Sequence, residues 1–405
     1  MVRILHTADL HLGQRLYGRR REPEQAQVLD WIVGIAGEQA VDALVLCGDI
    51  FDTASPSTQA QELYYRFLHS LRSTGCRHVV VLAGNHDSPS FLAAPAPLLR
   101  AMDVHVVTSP ELVVLQDASG RPQALVEAVP YLRERDVREA MPGASLEEKA
   151  AAWRRGIAAA YAALDVQAQA MGLDVPRIAL GHVLVAGSQA HEGEGMRLSI
   201  GGLDAVPASV FPACQYVALG HIHRAQWVGD GRRIRYSGAP LALGFGDAGA
   251  SKTVEVVDLH HDGTYDVTSL TVPCFQELLR VHGPLAAVEA RLAHEARRGT
   301  ALWVEVEVAE ALPAEEIRRR IDAVTAGSPV EVLCVRVPRC AATALTAQTG
   351  ERLEDLTPME VFCRCLEISG VEEEARPALL QAFGELERWV MEEGSGEGGV
   401  CRSDA

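Results

Sequence analysis

Asp9 and His11 lie two residues apart, so in an extended segment both side chains point to one side and can hold one ion. His221 and His223 repeat that spacing. Between the two pairs stand Gly48-Asp49-Ile50-Phe51-Asp52, Gly84-Asn85-His86-Asp87 and Gly181-His182. A donor set that mixes carboxylate, imidazole and an amide oxygen suits Mn²⁺, Fe²⁺ or Zn²⁺ better than Mg²⁺ or Ca²⁺, which favour all-oxygen shells. It also offers more ligands than one ion needs. Two ions about 3.5 to 4 Å apart can share a bridging carboxylate, clamp a phosphoryl group and make hydroxide available near neutral pH. Asp49 is the natural bridge.

What must position these groups is a set of buried strands. Leu44 to Cys47 is an apolar run that stops at Gly48, with Asp49 next. Runs of this kind read as buried parallel strands, and ligands of open α/β sheets gather at their carboxyl ends. Arg3 to Leu5, Val79 to Leu82, Arg177 to Leu180 and Tyr216 to Leu219 end the same way, at Asp9, Asn85, His182 and His221. Between strands, Glu24 to Gly37 and Ser57 to Ser73 carry apolar residues at helical period, and Ser145 to Met171 is a long alanine-rich helix. The alternation implies βαβ units with helices on the sheet faces. Ala93 to Pro97 reads as a proline-broken loop, residues 104 to 130 as short strands around Ala118-Ser119-Gly120, and Ala186 to Gly202 as a glycine-rich loop.

Strand patterns continue from Arg233 to Val272, and Pro273-Cys274 marks a boundary. The next unit reads β-α-β-α-β through Leu278 to Val281, Leu285 to Arg297, Leu302 to Val308, Pro313 to Thr325 and Val330 to Val337, with nothing catalytic in it. Two helix patterns follow, Pro358 to Ser369 and an amphipathic Glu374 to Glu392; the acidic, glycine-rich last dozen residues read as disordered.

Length and composition set bounds. At 405 residues, with 48% hydrophobic and 22% charged residues, the chain reads as a multi-domain globular protein. It has no membrane-length apolar run and no signal-peptide core, so a cytoplasmic location without membrane contact is expected. Nine cysteines without a C-x-x-C pair are expected to be reduced thiols. A net charge of −17 excludes a sequence-independent nucleic-acid coat but not a local basic groove. The arginine cluster of Arg15, Arg19, Arg20 and Arg21 reads first as a solvated loop, with contact to a DNA backbone through Arg15 and Arg19 as the alternative. His6, His69, His78 and His191 read as surface or capped histidines.

In order, Asp9-Leu10-His11, Gly48 to Asp52, Gly84 to Asp87, Gly181-His182 and Gly220-His221-Ile222-His223 resemble the signature of calcineurin-like metallophosphoesterases. One such pair alone is more often a satisfied turn; five in family order reverse that. Ile200 to Phe211, Tyr216 to Gln226, Leu356 to Phe362 and Leu379 to Leu386 are similar to the SbcD family, nuclease subunits of the bacterial SbcCD complex, so the resemblance covers nearly the whole chain. It implies an α/β fold: a four-layer α/β/β/α metallophosphoesterase domain (1–272), a small α+β capping domain (273–340), a helical ATPase-docking tail (341–392) and a disordered end (393–405).

The same resemblance implies one ion on Asp9, His11, Asp49 and His223 and another on Asp49, Asn85, His182 and His221. His86 is left free for catalysis, with Asp52 and Asp87 orienting ligand and catalytic imidazoles. The implied activity is Mn²⁺-dependent hydrolysis of DNA phosphodiesters, as an exonuclease on double-stranded ends and an endonuclease on hairpins or single strands, in replication and recombination. The implied partner is the SMC-like ATPase SbcC, around a homodimer within a heterotetramer. No P-loop occurs in this chain, so ATP dependence would come from that partner. Rival readings are a calcineurin-like phosphatase or phosphodiesterase acting on a small molecule or phosphoprotein, and a scaffold that has lost its metals. In the tail, Leu379, Leu380, Phe383, Leu386 and Val390 form the stripe expected to meet the ATPase.

Overall fold

The computed structural model describes residues 1–137, 145–189, 205–310, 312–337, 359, 362–363, 366 and 376–384. His191, Cys365, most of the 186–202 loop and most of the two tail helices lie outside these residues.

The first half of the chain runs β1 (Val2–Thr7), a hairpin of β2 (Arg15–Leu16) and β3 (Arg19–Arg20), α1 (Glu22–Glu38), β4 (Ala43–Cys47), α2 (Thr58–Leu71) and β5 (His78–Leu82). Short helices α3 (Pro89–Ala93) and α4 (Ala96–Arg100) follow, then β6 (Val104–Val107), β7 (Glu111–Gln116), β8 (Pro122–Val129), α5 (Glu134–Val137) and α6 (Leu146–Ala170). Next come β9 (Arg177–His182), β10 (Tyr216–Gly220), β11 (Gln226–Val228), β12 (Ile234–Tyr236), β13 (Thr253–Leu259) and β14 (Tyr265–Thr271). Residues 93–97 are not a plain loop: Ala93 closes α3 and Pro97 sits in the first turn of α4, where its missing N–H costs nothing. Ser145 caps α6 through a reciprocal bond pair with Glu148.

Two six-stranded sheets result, ordered β14-β13-β1-β4-β5-β6 and β11-β12-β10-β9-β8-β7. The strands that end at candidate donors are parallel to their neighbours: β1 with β4, β4 with β5, and β9 with β10. Alternation along each strand feeds two cores. Leu44, Leu46, Val79 and Val81 point to α1 and α2, where they meet Leu29, Ile32, Leu63 and Phe67. Ala43, Val45, Val80 and Leu82 point the other way and meet Val126, Ile178, Leu180 and Ala218 of the second sheet. The far face of that sheet, with Ala179, Val217 and Leu219, is covered by Trp153, Ile157, Tyr161 and Leu164 of α6. The layers are therefore α/β/β/α. Each fully buried side chain of this size contributes about 1.5–3 kcal/mol, and strands buried on both faces set the donor-bearing loops on a rigid base.

The chain divides into two compact units. The first comprises Met1–Arg280, Glu295–Glu305 and Gly327–Cys334, and the second Val281–His294, Val306–Ala326 and Val335–Ala405. The expected β-α-β-α-β run is present as β15 (Glu277–Gly283), α7 (Leu285–Arg298), β16 (Leu302–Val308), α8 (Ala314–Thr325) and β17 (Val330–Arg336), with sheet order β15-β16-β17. Of the tail, residues 376–384 are helical; Leu379 is exposed and the Phe383 ring stacks on Phe362, centroids 4.2 Å apart.

Candidate metal centre

Every candidate donor sits in the first unit, at or just past the carboxyl end of a strand: Asp9 and His11 after β1, Asp49 after β4, Asn85 and His86 after β5, His182 at the end of β9, His221 and His223 after β10. Bringing ends from two sheets together leaves little room between them. A Cβ on Gly48 would lie 2.0 Å from His182 Nδ1, and one on Gly84 would lie 2.1 Å from Asp49 Oδ1. That close approach is why glycine precedes the donors. The backbone is strained as well, with φ of 55° at Asp9, 43° at His11, 50° at Asp49 and 96° at His221. Conformations of this kind cost about 1–3 kcal/mol each and persist where the surroundings over-determine them.

Hydrogen bonds supply that determination. Asp9 N donates to Gly48 O and His11 N to Asp49 O, each at 3.0 Å. His221 N donates to Asp9 Oδ1 and His86 N to Asp49 Oδ1, each at 2.9 Å. Gln25, fully buried on α1, spans the His11 loop by donating to His11 O and accepting from Gly13 N.

The polar atoms left over face one another. His182 Nδ1 donates to Cys47 O at 2.7 Å, so its Nε2 carries the lone pair; yet Nε2 lies 2.9 Å from Asn85 Oδ1 and 3.3 Å from Asp49 Oδ2. His221 Nδ1 is also 2.9 Å from Asn85 Oδ1. His11 Nδ1 meets Asp52 Oδ1 at 3.3 Å, leaving its Nε2 3.7 Å from Asp49 Oδ2. His11 Nε2 and Asp9 Oδ2 are buried without a hydrogen-bond partner. Buried orphan acceptors and lone pairs directed at oxygens are costly unless a cation stands among them. The donor atoms of Asp9, His11 and His223, those of Asp9, Asp49 and His182, and those of His11, Asp52 and His86 each lie within 4.8 Å of one another. The residues therefore fit divalent metal.

Charge in the protein alone tells the same story. Burial raises the Asp9 carboxyl to about 6, against the pull of His182. Burial also works against ionised Asp49, but His182 and His11 outweigh it and hold that carboxylate well below its usual range. His182 is pushed up to about 9: burial opposes its charge, and Asp49 and Asp9 overcome it. A proton on His182 thus stands where a metal ion would. Burial, reinforced by His182, lowers His221 to about 3; burial, reinforced by His11, lowers His223 to about 2. Both keep the neutral form that a metal requires.

The remaining candidates divide. His86 is exposed; its Nδ1 donates to the backbone carbonyl of Asp52 at 2.8 Å, and its ring stands edge-on to His11. Asp52 Oδ1 contacts the His11 imidazole at Nδ1. Asp87 does not orient an imidazole: its oxygens accept from Gly84 N, Ile50 N and Phe51 N, which ties the Asp49 loop to the Asn85 loop. Arg15, Arg19 and Arg20 are exposed, Arg19 pairing at the surface with Glu331 at 2.7 Å, whereas Arg21 is sealed against Glu24, Gln14 and Ala242 O. The cluster is thus only partly a solvated loop. His6 is interior, bonded to Tyr216 and to Leu219 O; His78 is buried and His69 exposed. Sequence reasoning missed Tyr131, whose ring stacks beside His221 at 6.4 Å, and Arg133 beside Asp87. Both follow β8, an apolar strand parallel to β9 whose end carries neither carboxylate nor imidazole; the strand pattern itself was the available signal.

Residues 2–225 match the calcineurin-like phosphoesterase family, and residues 274–369 match the type 5 capsule protein repressor C-terminal domain of SbcD proteins. The SbcD subunit of the SbcCD nuclease of Escherichia coli K12 is 37% identical over 94% of this chain and 97% of its own length. The protein of the same name from Bacillus subtilis is 34% identical over 78% and 82%, and that from Rhodobacter capsulatus 33% over 89% and 93%. No helix among the described residues is long and apolar enough to cross a membrane. With this donor set on this scaffold, the chain belongs to the SbcD family of SbcCD nuclease subunits, within the calcineurin-like phosphoesterases, and is a metal-dependent phosphodiesterase.

Proposed function

We propose that the chain is the Mn²⁺-dependent DNA nuclease subunit of an SbcCD-type complex in the bacterial cytoplasm, acting on double-stranded ends and on hairpins or single strands together with an SMC-like ATPase. The observation that carries this reading is the grouping of Asp9, Asp49 and His182 donor atoms within 4.8 Å, with Asp9 Oδ2 and His11 Nε2 buried and unpartnered and His11 and His182 both facing the Asp49 carboxylate. One ion would be held by Asp9, His11, Asp49 and His223, the other by Asp49, Asn85, His182 and His221. When bound, the ions supply positive charge to a phosphoryl oxygen and acidify water.

The chain's own residues do the rest. Asp52 fixes the His11 tautomer, and the Cys47 carbonyl fixes that of His182, so each presents Nε2 as donor. His86 donates from Nδ1 to Asp52 O, which leaves Nε2 for the substrate; protonated, it stabilises charge on the phosphoryl group or protonates the departing oxygen. Asp87 keeps the two loops in register, so that His86 stays fixed relative to Asp49.

In this reading residues 1–272 form the nuclease domain, 273–340 a capping domain and 341–392 the tail that docks on the ATPase, around a homodimer within a heterotetramer. Exposed Leu379 lies on the docking stripe. The deciding experiment is a Mn²⁺ titration on end-labelled hairpin DNA, with and without the purified ATPase. Metal-dependent opening of the hairpin that becomes ATP-dependent with the partner is expected; metal-bound protein that leaves DNA intact and cleaves only a small aryl phosphodiester would overturn it.

A further inference from the structure

A phosphodiester is an anion, and this site is rich in carboxylate, with Asp9, Asp49, Asp52 and Asp87 close together. Beside bound metal, a cation at the rim would meet the rest of the substrate's charge, and three of the cations are already committed. Lys252 pairs with Asp247 at 3.0 Å and donates to His223 O; Arg19 is held by Glu331, and Arg21 is sealed beneath the loop.

Arg133 differs. It is half-buried, four residues past the end of β8, and its Nη2 donates to the carbonyl of Asp87, the residue after His86, at 3.4 Å. No carboxylate among the described residues pairs with its guanidinium. Its backbone is firmly placed: Tyr131 N donates to Ala83 O at 2.9 Å, Trp153 Nε1 to Leu132 O at 2.8 Å, and Arg133 N to Asp136 Oδ2 at 2.9 Å. A half-buried guanidinium with no counter-ion among the described residues, resting on one long bond to a carbonyl, is poised for a stronger acceptor. Its planar fork matches two phosphate oxygens.

We propose that Arg133 is a substrate-binding residue whose guanidinium exchanges the Asp87 carbonyl for the non-bridging oxygens of the phosphodiester. The proposal rests on the site being a phosphodiesterase and adds the group that receives the substrate's charge.

The test uses the full-length chain loaded with Mn²⁺, bis(p-nitrophenyl) phosphate as substrate, and inorganic phosphate as a competing anion whose binding is also measured by calorimetry. Arg133→Ala should raise KM for the diester and weaken phosphate binding by about 10- to 100-fold, with kcat changed less and bound Mn²⁺ unchanged. Arg133→Lys, which keeps charge but not the fork, should recover part of the loss. KM and phosphate affinity within twofold of wild type in a fully metallated Arg133→Ala protein would overturn the proposal. So would loss of bound Mn²⁺ in that variant, which would make Arg133 a support for the Asp87 loop. A metal-loaded wild-type protein without activity on the diester would count against the phosphodiesterase reading instead, and phosphate calorimetry would still decide the role of Arg133.

Discussion

His182 Nε2 stands 3.3 Å from Asp49 Oδ2, with both side chains closed to solvent, while the Cys47 carbonyl holds the proton on the other ring nitrogen. An imidazole lone pair and a carboxylate do not rest against each other in a dry interior unless positive charge lies between them. In the protein alone a proton on His182 supplies that charge, and in the proposed metal-bound form an ion would supply it.

Removing His86 should separate chemistry from metal binding. Its exposed ring contacts the backbone of Asp52 and the edge of His11. His86→Ala is expected to lower the cleavage rate by about 10²- to 10⁴-fold with bound Mn²⁺ unchanged, measured in parallel by metal analysis and single-turnover cleavage. Loss of metal together with activity would make His86 a ligand.

Asp87→Asn should act on the fold before it acts on catalysis. Asparagine cannot accept on both side-chain atoms, so at least one of the Gly84, Ile50 and Phe51 N–H groups would be left buried and unsatisfied, at about 1–3 kcal/mol. Urea unfolding of the metal-free protein reads this as a lower midpoint. An unchanged midpoint would contradict the role of Asp87 as a loop tie.

Much of this arrangement was legible from the strand ends. An apolar run that halts at glycine and gives way to Asp, Asn or His carries both the strand and the reason for its ending, as at Gly48-Asp49 and Gly84-Asn85. The work of Asp87 was hidden because a carboxylate beside a histidine reads as that histidine's partner, whereas three backbone N–H groups in the turns compete for it. Arg19 and Arg21 look alike in sequence. Only tertiary packing sends one to Glu331 and the other inward to Glu24. Tyr131 and Arg133 went unseen because their strand end carries no donor of its own.

His6 should make the protein sensitive to acid. It is fully buried and, chiefly by burial, its pKa is pushed down to about 3. Unfolded, it titrates near its ordinary value of about 6.5, so between these values the unfolded chain holds one more proton and stability falls as pH falls, by up to about 1.4 kcal/mol per pH unit. Above pH 6.5 the contribution is complete and constant. His6→Gln should lessen the loss of stability between pH 6 and 4 by up to about 1.4 kcal/mol per pH unit in denaturant titrations, the buried His221 and His223 accounting for further loss; an unchanged slope would show that His6 does not contribute.

The most direct test of the central claim is the number of Mn²⁺ ions bound per chain, measured by calorimetry and elemental analysis on wild type and Asp49→Ala. Two ions in the wild type and loss at both sites in the variant are expected, with cleavage reduced by more than about 10³-fold, because the carboxylate that His11 and His182 both face would be gone. An Asp49→Ala protein that still binds two ions would contradict the account.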